Sequence, residues 1–462
     1  MAEEPNNGDV VFFNFQLDVP HVSNQEAVRL LAALRWKDLN NPGQFNITIA
    51  APIANDVLDE LLLTFYYFQN NGIEWQSLML YFADNNIDFR RLSVALEVAN
   101  RASLFQQICI HLEDGVLFEN PRRLVLLPSL ELNKRLKQLS LQRSPYDESN
   151  NNTFLSHPQD IASLASALQD PTSLLRTLHL DSTNIGQPDL LAALASNQTL
   201  EDVTLTTEVR ASAPDLLHSL AQHRSLESLD IRIDGIAEGE FQQATSNGFA
   251  ALLTSNVCRV QKLTVRPATA DFEPIDPENL FQGLGTSNHL KYLCVRCHFV
   301  GENPFSCFLR ALVSHPKLEK VQLLGSIRFT REDIQEARAC PRLQQCVEID
   351  HWFQANDQEE EALAGLLFDH PEIFLKLGRN EFQSEDLLVM NHMNRLGRHL
   401  WTRNNVPIKL LPLLLARIQN ADHRHGLRGP VQIRATHSEM YQLLRHNFPH
   451  GLAQAASRQV GN

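Results

Sequence analysis

Apolar positions along this chain follow two alternating spacings. In one type of segment they stand at positions 1, 4 and 6, and the last four residues alternate between apolar and polar. Such alternation over a few residues is typical of a short β-strand with one buried face. Six segments share this pattern: Leu175/Leu178/Leu180, Leu200/Val203/Leu205, Leu226/Leu229/Ile231, Val260/Leu263/Val265, Leu290/Leu293/Val295 and Leu318/Val321/Leu323.

The other type of segment places apolar residues three and four positions apart, which predicts an amphipathic helix. Residues 188–191 (PDLL) begin one such segment, and residues 214–217 (PDLL) begin the next, 26 residues later. Proline suits the first turn of a helix, and an acid beside it suits the positive end of the helix dipole. In four units the last helical leucine precedes the next strand segment by six residues, as from Leu194 to Leu200.

A strand-plus-helix unit of this size cannot bury its own apolar face, so a run of such units predicts a solenoid of stacked repeats. When the units are aligned, Ile47 takes the position of Leu78. The units differ in length, and their extra residues fall in helices and loops at 144–153, 238–248 and 266–279; these segments are polar or rich in proline and glycine, which predicts surface insertions. Weaker copies of the strand segment extend toward the N-terminus: Phe13/Phe15, Ile47/Ile49, Trp75/Leu78/Leu80, Phe105/Ile108/Ile110 and Leu136/Leu139/Leu141.

The repeated pattern resembles the leucine-rich repeat family, and within it the ribonuclease-inhibitor type, whose long units carry a true helix. The resemblance is most specific from Leu175 to Leu324. It implies an α/β horseshoe in which a parallel sheet lines the concave side and helices cover the convex side. We assign residues 10–355 to this solenoid and expect residues 1–9 to be disordered.

Residues 356–462 lack the repeat, and we expect them to form a small helical C-terminal domain. One interpretation is a cap that shields the apolar edge of the last repeat, which solenoids need for solubility. The alternative is a cullin-recruiting tail, because the segment also resembles a SOCS-type box in which the defining cysteine is absent. Loss of co-purifying cullin or elongin-type subunits on deleting residues 380–462 would favour this alternative. The matching residues are Leu396, Arg398, Leu400, Leu411, Pro412 and Leu413.

The residues between the strand leucines are expected to face the concave side, because successive side chains of a strand point to opposite faces. Three consecutive units place an arginine in the same row there, at Arg232, Arg266 and Arg296. Since the whole chain carries a net charge of −14, this row would be a basic stripe on an acidic protein. The other candidate binding residues on this face are Lys262, Tyr292, His179, Asp181 and Asp230.

Two interpretations of the stripe remain open. Arginine suits bidentate contact with carboxylate or phosphate groups, which predicts an acidic partner. The alternative is an ordinary solvated face whose charges are neutralised by neighbours such as Asp230. The acidic total charge argues against a nucleic-acid partner, whose phosphates would require a basic excess.

The one motif with a chemical precedent is CVRCH at residues 294–298, which matches the attachment signature of a c-type haem. It falls inside a repeat strand, where Val295 must face the core, and this argues against a haem pocket. A zinc site through Cys294, Cys297, His298 and Cys307 would need consecutive residues as separate ligands, which is rare. Signatures of nucleotide-binding loops, serine hydrolases, zinc peptidases and kinases are missing from the sequence. We therefore predict no catalytic residue, metal, cofactor or small-molecule substrate.

These observations together predict a non-catalytic interaction or scaffold module that holds a protein partner on the concave face. The alternative is the substrate-recognition adaptor of a cullin-type ubiquitin ligase. No run of about 18 apolar residues indicates a membrane span. Seven cysteines and an N-terminus without a secretory signature predict reduced thiols and a cytoplasmic protein, with the nucleus as the second choice.

Overall fold

The structure is a computed structural model. The chain divides into two compact units, Met1–Cys297 and His298–Asn462, and the division falls within a strand. The residues that the structure describes are 13–18, 23–35, 42–49, 55–82, 89–112, 125, 127–143, 155, 157–181, 187–208, 213–234, 240–267, 274–275, 277–299, 304–315, 317–326, 331–338, 340, 347–351 and 363–368.

Strands and helices alternate along the first unit. The strands are β1 Phe13–Asp18, β2 Pro42–Ile49, β3 Trp75–Phe82, β4 Phe105–Leu112, β5 Gln138–Arg143, β6 Thr177–Asp181, β7 Asp202–Glu208, β8 Ser228–Asp234, β9 Lys262–Pro267, β10 Pro274–Ile275 and β11 Tyr292–Phe299. The helices are α1 Asn24–Leu34, α2 Asn55–Asn71, α3 Phe89–Arg101, α4 Pro158–Gln169, α5 Pro188–Ser196, α6 Ala213–Leu220, α7 Glu240–Thr254 and α8 Pro277–Thr286. A 3-10 turn at Leu130–Leu132 stands where a helix would precede β5.

The strands of this unit form an open parallel sheet in which β1 to β9 and then β11 lie side by side in chain order. The short strand β10 pairs with β11. Leu178, Val203, Leu229, Leu263 and Leu293 are successive register partners across five strands. Because each unit places its leucines at the same height, the unit buries them against its neighbours. The predicted α/β solenoid with a parallel sheet is therefore confirmed.

The predicted register of the most N-terminal strands is wrong by two residues. Ile47 pairs with Leu80, and Phe45 takes the position opposite Leu78. Phe45 is fully buried and its ring lies 5.7 Å from that of Phe65 on α2. In these repeats an aromatic side chain occupies the place that leucine holds later in the chain, so a search for leucine spacing misses it.

The helices of the N-terminal repeats pack on the apolar face of the sheet. Phe45 on β2 contacts Phe65 and Phe68 on α2, with ring centroids 5.7 and 5.9 Å apart. Phe65 also lies 5.5 Å from Phe105 on β4. Burying each of these rings stabilises the fold by roughly 2 to 3 kcal/mol. The opposite face of the sheet thus carries the alternate, mostly polar side chains.

A buried polar side chain lies in the turn between a helix and the next strand. It stands midway between the last helical leucine and the first leucine of the strand segment, which are six residues apart. In the best-formed example, the Asn197 amide donates to the Leu168 carbonyl at the end of α4, at 2.7 Å. Its oxygen accepts from the backbone N–H groups of Thr199 and Leu200, each at 2.8 Å. One side chain thereby joins neighbouring repeats and closes its own turn, which explains why the offset is constant. Ser255 makes the same kind of bridge to the Ala221 carbonyl at 2.6 Å.

The extra residues of the unit around 238–248 include the first half of α7, so the predicted surface insertion is in part a longer helix. This helix packs closely on both sides. A Cβ on Gly248 would lie 2.9 Å from Leu217 on α6, and a Cβ on Gly283 of α8 would lie 2.8 Å from the Ala250 backbone. Glycine at these two positions therefore permits the close approach of α6, α7 and α8.

The second unit contains α9 Pro304–Ser314, β12 Lys320–Ser326, α10 Arg331–Arg338 and β13 Val347–His351. Strands β12 and β13 are parallel, and Leu323 pairs with Ile349. Residues 363–368 are helical and bury Leu363, Leu366 and Leu367. The predicted N-terminal disorder, segment 144–153, and most of the predicted C-terminal domain, including the SOCS-like residues, lie outside the described residues. The proposed domain boundaries stay predictions.

Candidate protein-binding face

The side chains that alternate with the buried leucines define the polar face of the sheet. Strands β6 to β9 and β11 contribute to it in register, so that their side chains form rows across the strands. In the middle row His179, Thr204, Asp230, Thr264 and Cys294 are successive partners. Neighbouring parallel strands lie about 4.8 Å apart, so side chains in one row are within reach of each other.

Arg232 and Arg266 are register partners on β8 and β9, as the sequence pattern predicts. Arg266 forms a bidentate ion pair with Asp230: its Nε donates to Oδ1 at 3.1 Å, and its Nη2 donates to Oδ2. This carboxylate is the main reason why the pKa of Arg266 is raised above its ordinary value. The Arg266 side chain is 41% exposed, so the pair contributes at most about 1 kcal/mol to stability.

Arg232 differs from Arg266 although the two occupy equivalent positions. It is half-buried, and within the described part of the chain it has no ion-pair partner. Two arginines directly opposite each other on adjacent strands repel, and Asp230 relieves only one of them. The row therefore keeps one guanidinium that is open to an external anion.

Lys262 and Tyr292 face each other at the start of β9 and β11, where they are register partners. The Lys262 ammonium lies 5.8 Å from the centre of the Tyr292 ring, which is within the range of a cation–π contact. Lys262 itself is exposed. The ring holds the ammonium close to the sheet while leaving its charge available to solvent or to a ligand.

His179 on β6 is the last predicted residue with a described side chain. It is half-buried, and burial lowers its pKa below the ordinary value, a shift that Arg232 reinforces. Asp202 and Asp230 act in the opposite direction. His179 therefore tends toward the neutral form and adds little to the basic charge of the face.

The structure brings six of the eight predicted residues together on strands β6 to β11 of this face: His179, Asp230, Arg232, Lys262, Arg266 and Tyr292. Asp181 and Arg296 lie in β6 and β11, but their side chains are outside the described residues. Their role stays a prediction.

One group on this face was missed by the sequence analysis. Tyr81 on β3 and His111 on β4 are register partners and stack face to face, with ring centroids 4.9 Å apart. Met79, two residues before Tyr81, is 43% exposed. The signal that could have found them was the strand alternation in the N-terminal units, where Tyr81 follows the buried Leu80 and His111 follows the buried Ile110.

The cysteines do not assemble a site in the described part of the chain. Cys294 is buried beside the arginine row and is not part of a disulfide. Burial raises the pKa of the Cys258 thiol to about 11, so this thiol stays protonated at neutral pH. A search of the described residues for clusters of three or more His, Cys, Asp or Glu found none that could hold a metal ion. Cys297 and His298 lie in β11, but their side chains are outside the described residues.

Comparison with models of known protein families and with curated proteins found no match to this chain. Within the described residues, none of the helices combines the length and apolar character that a membrane crossing requires.

Proposed function

We propose that this protein is a non-catalytic interaction module that holds a protein partner on the polar face of its parallel sheet. The observation that carries the proposal is the ordered row of polar side chains on that face, set at constant spacing by in-register strands. A solenoid with such a face offers a long surface on which many side chains can contribute to specificity without catalysis.

The strand and helix pattern supports placement among proteins similar to leucine-rich repeats of the ribonuclease-inhibitor type. Each unit from Trp75 to Leu323, where the structure describes these side chains, buries the three apolar positions that define the pattern, as in Leu200, Val203 and Leu205. Five described cysteines are not part of disulfides, which favours a reducing compartment, and we propose the cytoplasm, with the nucleus as the second choice.

The test is capture of partners by the intact chain and by a variant in which Arg232, Arg266 and Arg296 are changed together to glutamate. We expect the variant to lose the partner that the wild type retains, because its face reverses charge at three neighbouring positions. Circular dichroism and the melting temperature serve as the control for folding. If the folded variant captured the partner as well as the wild type does, the arginine row would not contribute to binding.

A further inference from the structure

The charge of strands β8 and β9 is opposite to that of the whole chain. Among the described side chains of the polar face there, Arg232, Lys262 and Arg266 contribute three cations and Asp230 contributes one carboxylate, which leaves an excess of two positive charges. Asp234 at the end of β8, whose side chain lies outside the described residues, brings the net charge of the two strands to +1. The whole chain carries −14. We call the four residues with described side chains the basic patch. A basic patch on an acidic protein attracts a ligand whose negative charge is confined to the size of the patch.

We propose that the basic patch binds carboxylates of an acidic segment of the partner protein, with Arg232 as the principal anion-binding group and Asp230 as an internal competitor for Arg266. This inference rests on the proposed function, because it assigns the partner of the same face. It adds which chemical groups of the partner are recognised, and whether each residue of the patch strengthens or weakens their binding.

Arg232 is positioned to bind a carboxylate through its N–H groups. Its register partner on β7 is Thr206, which is half-exposed and carries a hydroxyl donor, and its partner on β9 is Arg266. A carboxylate above β8 would meet the guanidinium fork together with this hydroxyl. Bidentate arginine–carboxylate contacts are among the stronger hydrogen bonds at protein surfaces.

Asp230 occupies the site that a second carboxylate of the partner would use. Both of its oxygens are engaged by Arg266, and its side chain is only 18% exposed. While this ion pair persists, the Asp230 carboxylate balances the charge of Arg266, so Arg266 does not attract an incoming anion. Removing the negative charge of Asp230 would release the Arg266 guanidinium next to Arg232. A variant without this carboxylate should therefore bind an acidic segment more tightly.

Lys262 extends the patch along β9 toward β11. Its exposed ammonium lies over the Tyr292 ring and stands four residues before Arg266 on the same strand. At about 3.3 Å per residue, this separates the two cations by roughly 13 Å along the strand, which matches carboxylates four residues apart on an extended partner segment.

A protein segment fits this patch better than a nucleic acid. A nucleic acid carries a phosphate at every nucleotide and would bring most of its charge against an acidic surface. A peptide can limit its carboxylates to the length of the patch. Asp202, half-exposed on β7 and two strands from Lys262 in the same row, also limits the basic patch on that side.

The test measures binding of a fluorescein-labelled oligoglutamate peptide to the full chain by fluorescence anisotropy at low salt. We expect Asp230→Asn to tighten binding roughly five- to tenfold and Arg232→Gln to weaken it roughly tenfold, with added NaCl weakening both. Arg224→Gln is the matched control, because Arg224 is an exposed arginine in the turn before β8 and its loss changes the total charge by the same amount. It should bind like the wild type.

The inference is overturned if Asp230→Asn binds the peptide no more tightly than the wild type, or if Arg232→Gln and Arg224→Gln behave alike. Tighter binding of a labelled polyuridine RNA than of the peptide would also overturn it. A gain of affinity in Asp230→Asn cannot come from misfolding, which keeps the test informative if Arg232→Gln is unstable. If a cellular partner is captured through the polar face but oligoglutamate does not compete with it, the proposed function stands and this inference fails.

Discussion

Asn197 and His223 occupy equivalent turns of neighbouring repeats, three residues before Leu200 and Leu226. The Asn197 side chain donates to the preceding repeat at the Leu168 carbonyl and accepts from the backbone N–H of Leu200 in its own turn. His223 is fully buried, and neither of its ring nitrogens has a hydrogen-bond partner. A buried polar group without partners costs free energy, so His223 is a weak point in the row of turn residues.

The stability of the fold should therefore depend on pH through His223. Burial lowers its pKa from 6.5 to about 4. The folded protein then binds this proton less readily than the unfolded chain, so the stabilisation is complete above pH 6.5 and is lost as the pH falls toward 4. At pH 5 the expected loss from this residue is about 2 kcal/mol relative to pH 7.

Comparison with His223→Asn isolates this effect from the titration of carboxylates. Asparagine removes the titrating group and can adopt the hydrogen bonds seen at Asn197. We expect urea unfolding at pH 7 and pH 5 to show a fall in stability that is about 2 kcal/mol smaller in the variant. An equal fall in both proteins would show that His223 is not held neutral by burial.

At the scale of the element, the close packing of α7 and α8 depends on Gly283. A methyl group there would lie 2.8 Å from the Ala250 backbone, which cannot move aside as a flexible side chain would. We expect Gly283→Ala to lower the free energy of unfolding by about 1 to 3 kcal/mol, although alanine is the better helix former. Gln282→Ala, at an exposed position of the same helix, is the control and should change stability by less than about 0.5 kcal/mol. A Gly283→Ala protein as stable as the control would show that the two helices can separate at little cost.

The sequence predicts the strands of this fold best where leucine marks both core positions. From Leu178 to Leu293 the predicted rows coincide with the observed register. In β1 and β2 phenylalanine stands at the first of these two positions, and the spacing alone cannot decide between Phe45 and Ile47. Volume decides instead, because Phe45 fits between Phe65 and Phe68 on α2.

The candidate face was predictable in part. Alternation along each strand placed Arg232, Arg266 and Asp230 on one side of the sheet. It did not show that Asp230 pairs with Arg266, on the adjacent strand, since this choice depends on the register and on the direction of the side chains. The stacked pair of Tyr81 and His111 was missed although Leu80 and Ile110 fit the strand pattern, because the contact between the two rings depends on the register of β3 and β4.

At the scale of the whole molecule, we expect the net charge of −14 and the basic patch to act on different ligands. The total charge should repel large polyanions, while the local excess should attract a short acidic segment. We therefore propose that the partner contacts the polar face, whereas the outer surfaces of the helices serve the fold. Val94 on α3, which is 44% exposed, belongs to one of those outer surfaces.

The most direct measurement is photo-crosslinking of the captured partner from defined positions of the full chain. The photoreactive residue p-benzoylphenylalanine replaces Thr206, beside Arg232 on the polar face, or Val94 on the outer surface of α3. We expect a covalent adduct with the partner from position 206 and none from position 94. An adduct from position 94 without one from position 206 would contradict this expectation, because the partner would then bind the helices and not the sheet.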